Sequence, residues 1–220
     1  MRLRAHLRGR TELIETPVEV GEATYRMTYP AAADDLIDEE DFARDERFPY
    51  WAELWPSAVA LARRVSKEKL AGRCVVELGC GIGLPSLAAR ARGAVVTATD
   101  YYQAALDFAR YNARANLGDL ELQTLLLDWH APETEGLEEA FDLILAADVL
   151  YESRNVPALT TLIPALLAPG GEVLLADPRR KDTVPFFKKM RNKGFRSTTE
   201  EHVVSSDDRM VVVLVHQLRR

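Results

Sequence analysis

The stretch from Cys74 to Asp100, CVVELGCGIGLPSLAARARGAVVTATD, constrains the fold more than any other part of the chain. It reads as an apolar strand, a glycine-rich turn, a helix with apolar residues at helical spacing, and a second strand. Strands joined by one such helix run parallel, and a parallel sheet needs helices over both of its faces. The alternation continues, with strands expected near 73–78, 94–99, 121–127, 141–147 and 171–176 and helices near 84–92, 101–116, 155–167 and 182–193. A further helix is expected over 57–70, entered through Pro56 with Ser57 as its cap. FRSTTEEHVVSS and RMVVVLVHQL near the end read as two strands with no helix between them, which makes an antiparallel edge pair. Residues 11–29 alternate polar and apolar positions around Gly21 and read as a β-hairpin. The fold class is therefore α/β: a doubly wound, mostly parallel seven-stranded sheet with an antiparallel C-terminal edge pair and an N-terminal hairpin.

A chain of 220 residues, 47% of them apolar, supports one sizeable core. Residues 1–48 are expected to form a hairpin and acidic linker packed on or near a main domain of residues 49–220. No apolar run is long enough to span a membrane, and no apolar segment follows the basic N-terminus, so a cytoplasmic protein is expected, with a monomer favoured. Two cysteines, Cys74 and Cys80, and four scattered histidines argue against a disulfide framework or a metal site. The net charge of −6 is local: residues 31–46 hold eight acids against Arg44, leaving the rest of the chain at +1. Such a block is expected to be a solvated linker, or at most a short helix over a ligand mouth. Residues 179–193 hold seven bases against Asp182, either a patch for an acidic partner or a solvated helix face.

The glycine turn decides between ligands. A dinucleotide fingerprint G-x-G-x-x-G sets amides against a pyrophosphate. Here Gly79, Gly81 and Gly83 make G-x-G-x-G, and Leu84 stands where that fingerprint needs glycine. Glu77, just before the turn, would repel a pyrophosphate and favours a cationic ligand group instead. Asp100 closes the next strand 23 residues later, the spacing at which a carboxylate bonds ribose hydroxyls. A nucleoside with a cationic, phosphate-free arm describes S-adenosyl-L-methionine, and no metal is expected beside it.

With VVELGCGIG, ATD and LLLDW in these places, the chain resembles the class I, seven-strand methyltransferases over roughly residues 50–218. The resemblance implies that Asp128 contacts the adenine amino group and that Trp129 packs on the ring. It also sets Tyr101, beside Asp100, and Ala147, at the end of the fourth strand, in the cofactor wall. PYWAELWPSAVALA at 49–62 and ADVLYE at 147–152 are similar to the branch of small protein-lysine methyltransferases that act on an electron-transfer flavoprotein subunit or on chaperones. In that branch the position of Trp55 lies beside the cofactor, and those of Asp148 and Tyr151 lie at the substrate entrance. The partner implied is a protein presenting a lysine.

The residues carry part of this reading unaided. Trp55 precedes a helix that would cover the strand ends, where an aromatic wall is useful, whereas Trp51 reads as a core aromatic. Asp148 follows the apolar strand FDLILAA and reaches the sheet's carboxyl edge; Ser153 and Asn155 are better placed than Asp148 to cap the next helix. Asp142, at the opposite end of that strand, reads as structural. Methyl transfer requires positioning more than a nucleophilic side chain, so Asp148 would orient and attract an amine while Tyr151 lines its channel. A small-molecule N-methyltransferase similar to the nicotinamide-modifying enzymes is the alternative. RNA methylation ranks below it because Val149 and Leu150 replace the two prolines of a D/N-P-P-Y/F turn, and a non-catalytic cofactor-binding protein ranks last.

Overall fold

The structure, a computed structural model, describes residues 3–7, 9–37, 48–206 and 209–220. Strands β1 (Leu13–Val20) and β2 (Ala23–Pro30) form the expected hairpin, turned at Gly21 with φ +64°. The main sheet contains β3 (Cys74–Leu78), β4 (Val95–Asp100), β5 (Gln123–Leu126), β6 (Phe141–Ala147), β7 (Leu167–Asp177), β8 (Arg196–Ser206) and β9 (Arg209–Arg219). Their order is β5-β4-β3-β6-β7-β9-β8. The first five run parallel, while β9 pairs antiparallel with both β7 and β8. Five α-helices, α1 (Pro56–Val65), α2 (Leu84–Ala91), α3 (Gln103–Leu117), α4 (Asn155–Leu166) and α5 (Thr183–Asn192), complete the α/β layers among the described residues.

The period of two along β6 divides the core. Leu143 and Leu145 join one apolar cluster with α1, α2 and α3, while Ile144 and Ala146 join another with α4 and α5. The hairpin belongs to the first cluster through Val18, Val20, Tyr25 and Met27. It is tied to α3 by two asparagines. Asn112, wholly buried, accepts from the Thr28 amide at 2.9 Å and donates to the carbonyls of Thr28 and Ile82 at 3.0 Å. Asn116 does the same for Arg26 at 2.7 and 2.9 Å, so one face of α3 satisfies backbone that would otherwise lack partners.

Several local expectations are corrected. Ser57 does not cap α1: Trp55 takes the cap position without a side-chain bond, and Ser57 turns inward with a buried hydroxyl that has no partner among the described residues. Pro56 needs no capping at the first helical position because it has no N–H and its φ is preset. The helix also ends at Val65 rather than 70, and β7 begins at Leu167, running through Gly170 and Gly171 with a register shift opposite Phe141. Neither Ser153 nor Asn155 caps α4; Arg154 stands at its cap with no side-chain bond. Of the acidic segment, Asp34–Leu36 form a short 3-10 turn, while 38–46 lie outside the described residues. Among the described residues no helix is long and apolar enough to cross a membrane.

Candidate active site

The carboxyl ends of β3, β4, β5 and β6 open into a cavity of about 310 Å³. Every residue predicted for the site lines it except Gly83. Gly83 instead occupies the cap of α2 in the left-handed region, φ +90°, where a Cβ would come within 2.8 Å of the Ala109 Cβ on α3. Its role is close helix packing. Gly79, φ +69°, does belong to the wall: a Cβ there would meet the Trp129 ring at 2.9 Å. The tightness at Gly79 lets the Trp129 indole lie against the turn.

Two acids dominate one end. Glu77 points to the α2 side of the sheet, and its Oε2 accepts the Ser86 amide at 2.9 Å and the Ser86 hydroxyl. It is only 1% exposed, and burial pushes its pKa up to about 8 against the opposing Ser86 bonds, with the charge of Asp100 adding to the rise. Asp100 receives the amides of Gly81 at 2.9 Å and Tyr102 at 3.0 Å, yet burial still raises it to about 6. Two buried carboxylates on one cavity wall are poorly compensated by the protein itself, an environment that favours a cationic ligand. At the end of β5, Asp128 folds back to take the His130 amide at 2.9 Å, and the buried Trp129 Nε1–H has no partner among the described residues. Tyr101 stands edge-on to Tyr102, ring centroids 5.1 Å apart, on the neighbouring rim. A nucleoside with a cationic amino-acid arm fits these groups: paired acids for hydroxyls and an ammonium, an aromatic face, and an orphan donor.

The other end is built from segments distant in sequence. Asp148 follows Ala147 with φ +54°, its amide bonded to the Ala176 carbonyl at 2.8 Å. Neither of its oxygens caps a helix. Arg180 donates to both, Nε to Oδ1 at 2.9 Å and Nη2 to Oδ2 at 3.1 Å. Tyr151 packs edge-on against Tyr50 with centroids 5.0 Å apart, and Tyr50 in turn meets Trp55 at 6.0 Å. The Trp55 Nε1 donates to the Tyr50 carbonyl at 2.7 Å, which fixes this aromatic rim. Although 37% of Tyr151 is exposed, its hydroxyl is held protonated well above its usual range by burial, then by the charges of Glu152 and Asp100. Asn155 donates to the Val149 carbonyl at 3.1 Å and faces His130 at 3.3 Å, while Ser153 donates to Asp182; both serve loop geometry.

Sequence reasoning missed Tyr50, Tyr102 and Arg180 as cavity residues. Tyr50 lay inside the PYWAELWP stretch, overshadowed by its tryptophans. In the sequence Arg180 belongs to a basic run, while its place just beyond the apolar strand that ends at Asp177 sets it at the same sheet edge as Asp148. That run in fact divides: Arg179 pairs with Glu201 at 2.9 Å, Arg180 turns into the cavity, and Lys188, Lys189, Arg191 and Lys193 stay exposed. Trp51 packs in the core as expected, 5.3 Å from Phe108, and also lines the cavity, while Asp142 accepts the Cys74 amide at 2.8 Å.

The sequence matches the family described as lysine methyltransferase over residues 43–193. The electron transfer flavoprotein beta subunit lysine methyltransferase of Danio rerio is 35% identical over 136 residues, 60% of this chain and 51% of that protein. The histidine protein methyltransferase 1 homolog of Dictyostelium discoideum is 32% identical over 127 residues, 56% and 41% of the two chains. The chain thus spans about half the length of these relatives. Protein N-lysine methyltransferase METTL21A of Mus musculus is 32% identical over 149 residues, 66% of this chain and 68% of that protein. Among solved structures, magnesium protoporphyrin IX methyltransferase from Synechocystis with bound SAH superposes at a TM-score of 0.59 and 19% identity, covering 73% and 80% of the two chains. P. horikoshii TYW2 in complex with MeSAdo gives 0.57 at 16% identity, covering 99% and 81%. At those identities the likeness is one of fold.

Proposed function

The chain belongs to the lysine methyltransferase family, and from that premise we propose that it transfers a methyl group from S-adenosyl-L-methionine to the side-chain amine of a lysine in a partner protein. The observation that carries this reading is one cavity holding two poorly compensated buried acids, Glu77 and Asp100, at one end and the Asp148, Tyr151 and Tyr50 rim at the other. When bound, S-adenosyl-L-methionine supplies an electrophilic methyl on a sulfonium. Glu77 takes the cofactor's ammonium, Asp100 the ribose hydroxyls, and Asp128 with Trp129 the adenine. Gly79, Gly81, Tyr101, Ala147 and Trp55 complete the wall. The protein's contribution is alignment: Asp148 accepts an N–H of the incoming amine, and Tyr50 and Tyr151 form an apolar sleeve for the lysine's methylenes while excluding water. No side chain would be needed as a nucleophile: the amine, its proton lost to solvent, would itself accept the methyl, and the S–C electron pair would remain on the departing thioether.

Family membership weighs against the small-molecule alternative, and a cytosolic protein acceptor is the matching setting. The test is incubation of the purified chain with radiolabelled S-adenosyl-L-methionine and a lysate of its source cells, with protein separated from small molecules. Label is expected in protein and, after hydrolysis, on the lysine side-chain nitrogen. Label confined to low-molecular-mass material, or found on histidine, would overturn the lysine reading.

A further inference from the structure

An acceptor amine can attack only after losing its proton, and an isolated carboxylate beside it would hold that proton in place by raising the amine's pKa. Asp148 is not isolated. Its side chain is 7% exposed, and both oxygens are occupied by one guanidinium in a two-point contact with Arg180, itself 38% exposed. The loop carrying Arg180 is built to present it: the Arg180 amide donates to Asp177 Oδ1 at 2.9 Å and the Thr183 hydroxyl to the same oxygen at 2.8 Å. Asp177 is fully buried. The Ser153 hydroxyl reaches Asp182 at 3.0 Å and ties the same loop to the segment after Asp148. A two-point guanidinium contact fixes the plane of a carboxylate and cancels its charge, while each oxygen keeps a lone pair for another donor.

Resting on the methyl-transfer reading above, we propose that Arg180 is a positioning residue of the acceptor pocket: it aims Asp148 and neutralises it, so that the carboxylate orients an amine without holding it as ammonium. The other charged and titratable groups lining the cavity are Glu53, Glu77, Cys80, Asp100, Asp128, His130, Glu152, Arg154, Tyr50, Tyr101, Tyr102 and Tyr151, and Asp177 lies behind the Asp148–Arg180 pair.

Sinefungin tests this without a protein substrate, because it differs from S-adenosylhomocysteine by an amine-bearing carbon in place of the sulfur, which directs an extra amine toward the acceptor side. The ratio of the two affinities, measured by calorimetry on the full chain, isolates that amine. In the wild-type protein the ratio favouring sinefungin is expected to stay flat or rise between pH 7 and 9.5. Arg180→Met should raise the preference for sinefungin at pH 7 by about tenfold, the effect of freeing one nearby carboxylate, and the double variant Asp148→Asn, Arg180→Met should return it to the wild-type value. Arg180→Gln replaces the methionine variant if that chain fails to melt cooperatively. A wild-type ratio that falls with pH, an unchanged ratio in the arginine variant, or a gain that survives in the double variant would overturn the proposal. Failure of S-adenosylhomocysteine to bind at all would overturn the methyl-transfer reading with it.

Discussion

The two ends of the cavity are made differently. The Glu77 and Asp100 end comes from one strand–turn–helix–strand unit, closed by short-range bonds such as Ser86 to Glu77 and Gly81 to Asp100. The Asp148 end is assembled from the segment around Tyr50, the turn after β6 and the turn after β7, joined by ring contacts and one ion pair. The acids of the first end lie within one contiguous stretch, residues 74–100. The second exists only once three distant loops have met. Binding and chemistry should therefore separate under mutation, each end failing in its own currency.

The largest expected effect is at the second end. Asp148→Asn should lower methyl transfer to the labelled acceptor by about a hundredfold or more, because it removes the acceptor's orienting group and leaves Arg180 facing the amine. Affinity for S-adenosylhomocysteine should change by less than about twofold. A rate loss explained wholly by weaker cofactor binding would erase the distinction between the ends.

Asp100→Ala should do the reverse, weakening S-adenosylhomocysteine by about 1 to 3 kcal/mol as ribose hydroxyls and the Gly81 and Tyr102 amides lose a shared acceptor. Isothermal calorimetry measures this directly. An affinity within error of the wild type would mean that Asp100 only shapes the turn.

The difference in construction also explains what could be read from the chain alone. Glu77, the glycines and Asp100 are legible because their spacing within one unit is itself the geometry, and the fold followed from the same alternation. Gly83 lies outside the cavity lining and against α3, since the pattern marks where the backbone must be bare without saying whether a ligand or a helix comes close. For Asp148 and Tyr151 the strand FDLILAA gives the sheet edge, and resemblance gives the substrate entrance. Arg180 shares a sheet edge with Asp148 by its place after the strand ending at Asp177, but nothing in the local pattern aims its side chain at Asp148 or brings Tyr50 to either. The hairpin's attachment through Asn112 was likewise invisible, because an asparagine inside an amphipathic helix looks like any other polar position.

A pH experiment probes the first end again. Glu77 has a folded pKa near 8, raised above its unfolded value near 4.5, so its contribution to stability is fully present below about 4.5 and is lost as pH rises toward 8. Asp100 adds loss in the same direction between about 3.8 and 6. A ligand ammonium favours ionised Glu77, so binding releases a proton, and affinity for S-adenosylhomocysteine should rise on the order of tenfold between pH 6 and 8. Thermal melts should show the ligand-free protein losing stability across that window while the ligand-induced increment grows. A flat or falling affinity would remove Glu77 as the ammonium partner.

The smallest effect concerns the residue that touches both ends. Trp55 lines the cavity, and resemblance sets it beside the cofactor, yet its Nε1 donates to the Tyr50 carbonyl and its ring meets Tyr50, which meets Tyr151. Trp55→Phe keeps an aromatic side chain at the wall but removes the donor together with part of the ring that meets Tyr50. A partly exposed neutral hydrogen bond contributes about 0.5 to 1.5 kcal/mol, so the Tyr50 rim should loosen by that amount. If the bond serves the acceptor end, KM for the labelled protein should rise about two- to tenfold while S-adenosylhomocysteine binds as before. If the cofactor affinity falls and KM does not, Trp55 belongs with Glu77 and Asp100, and the boundary between the two ends moves to Tyr50.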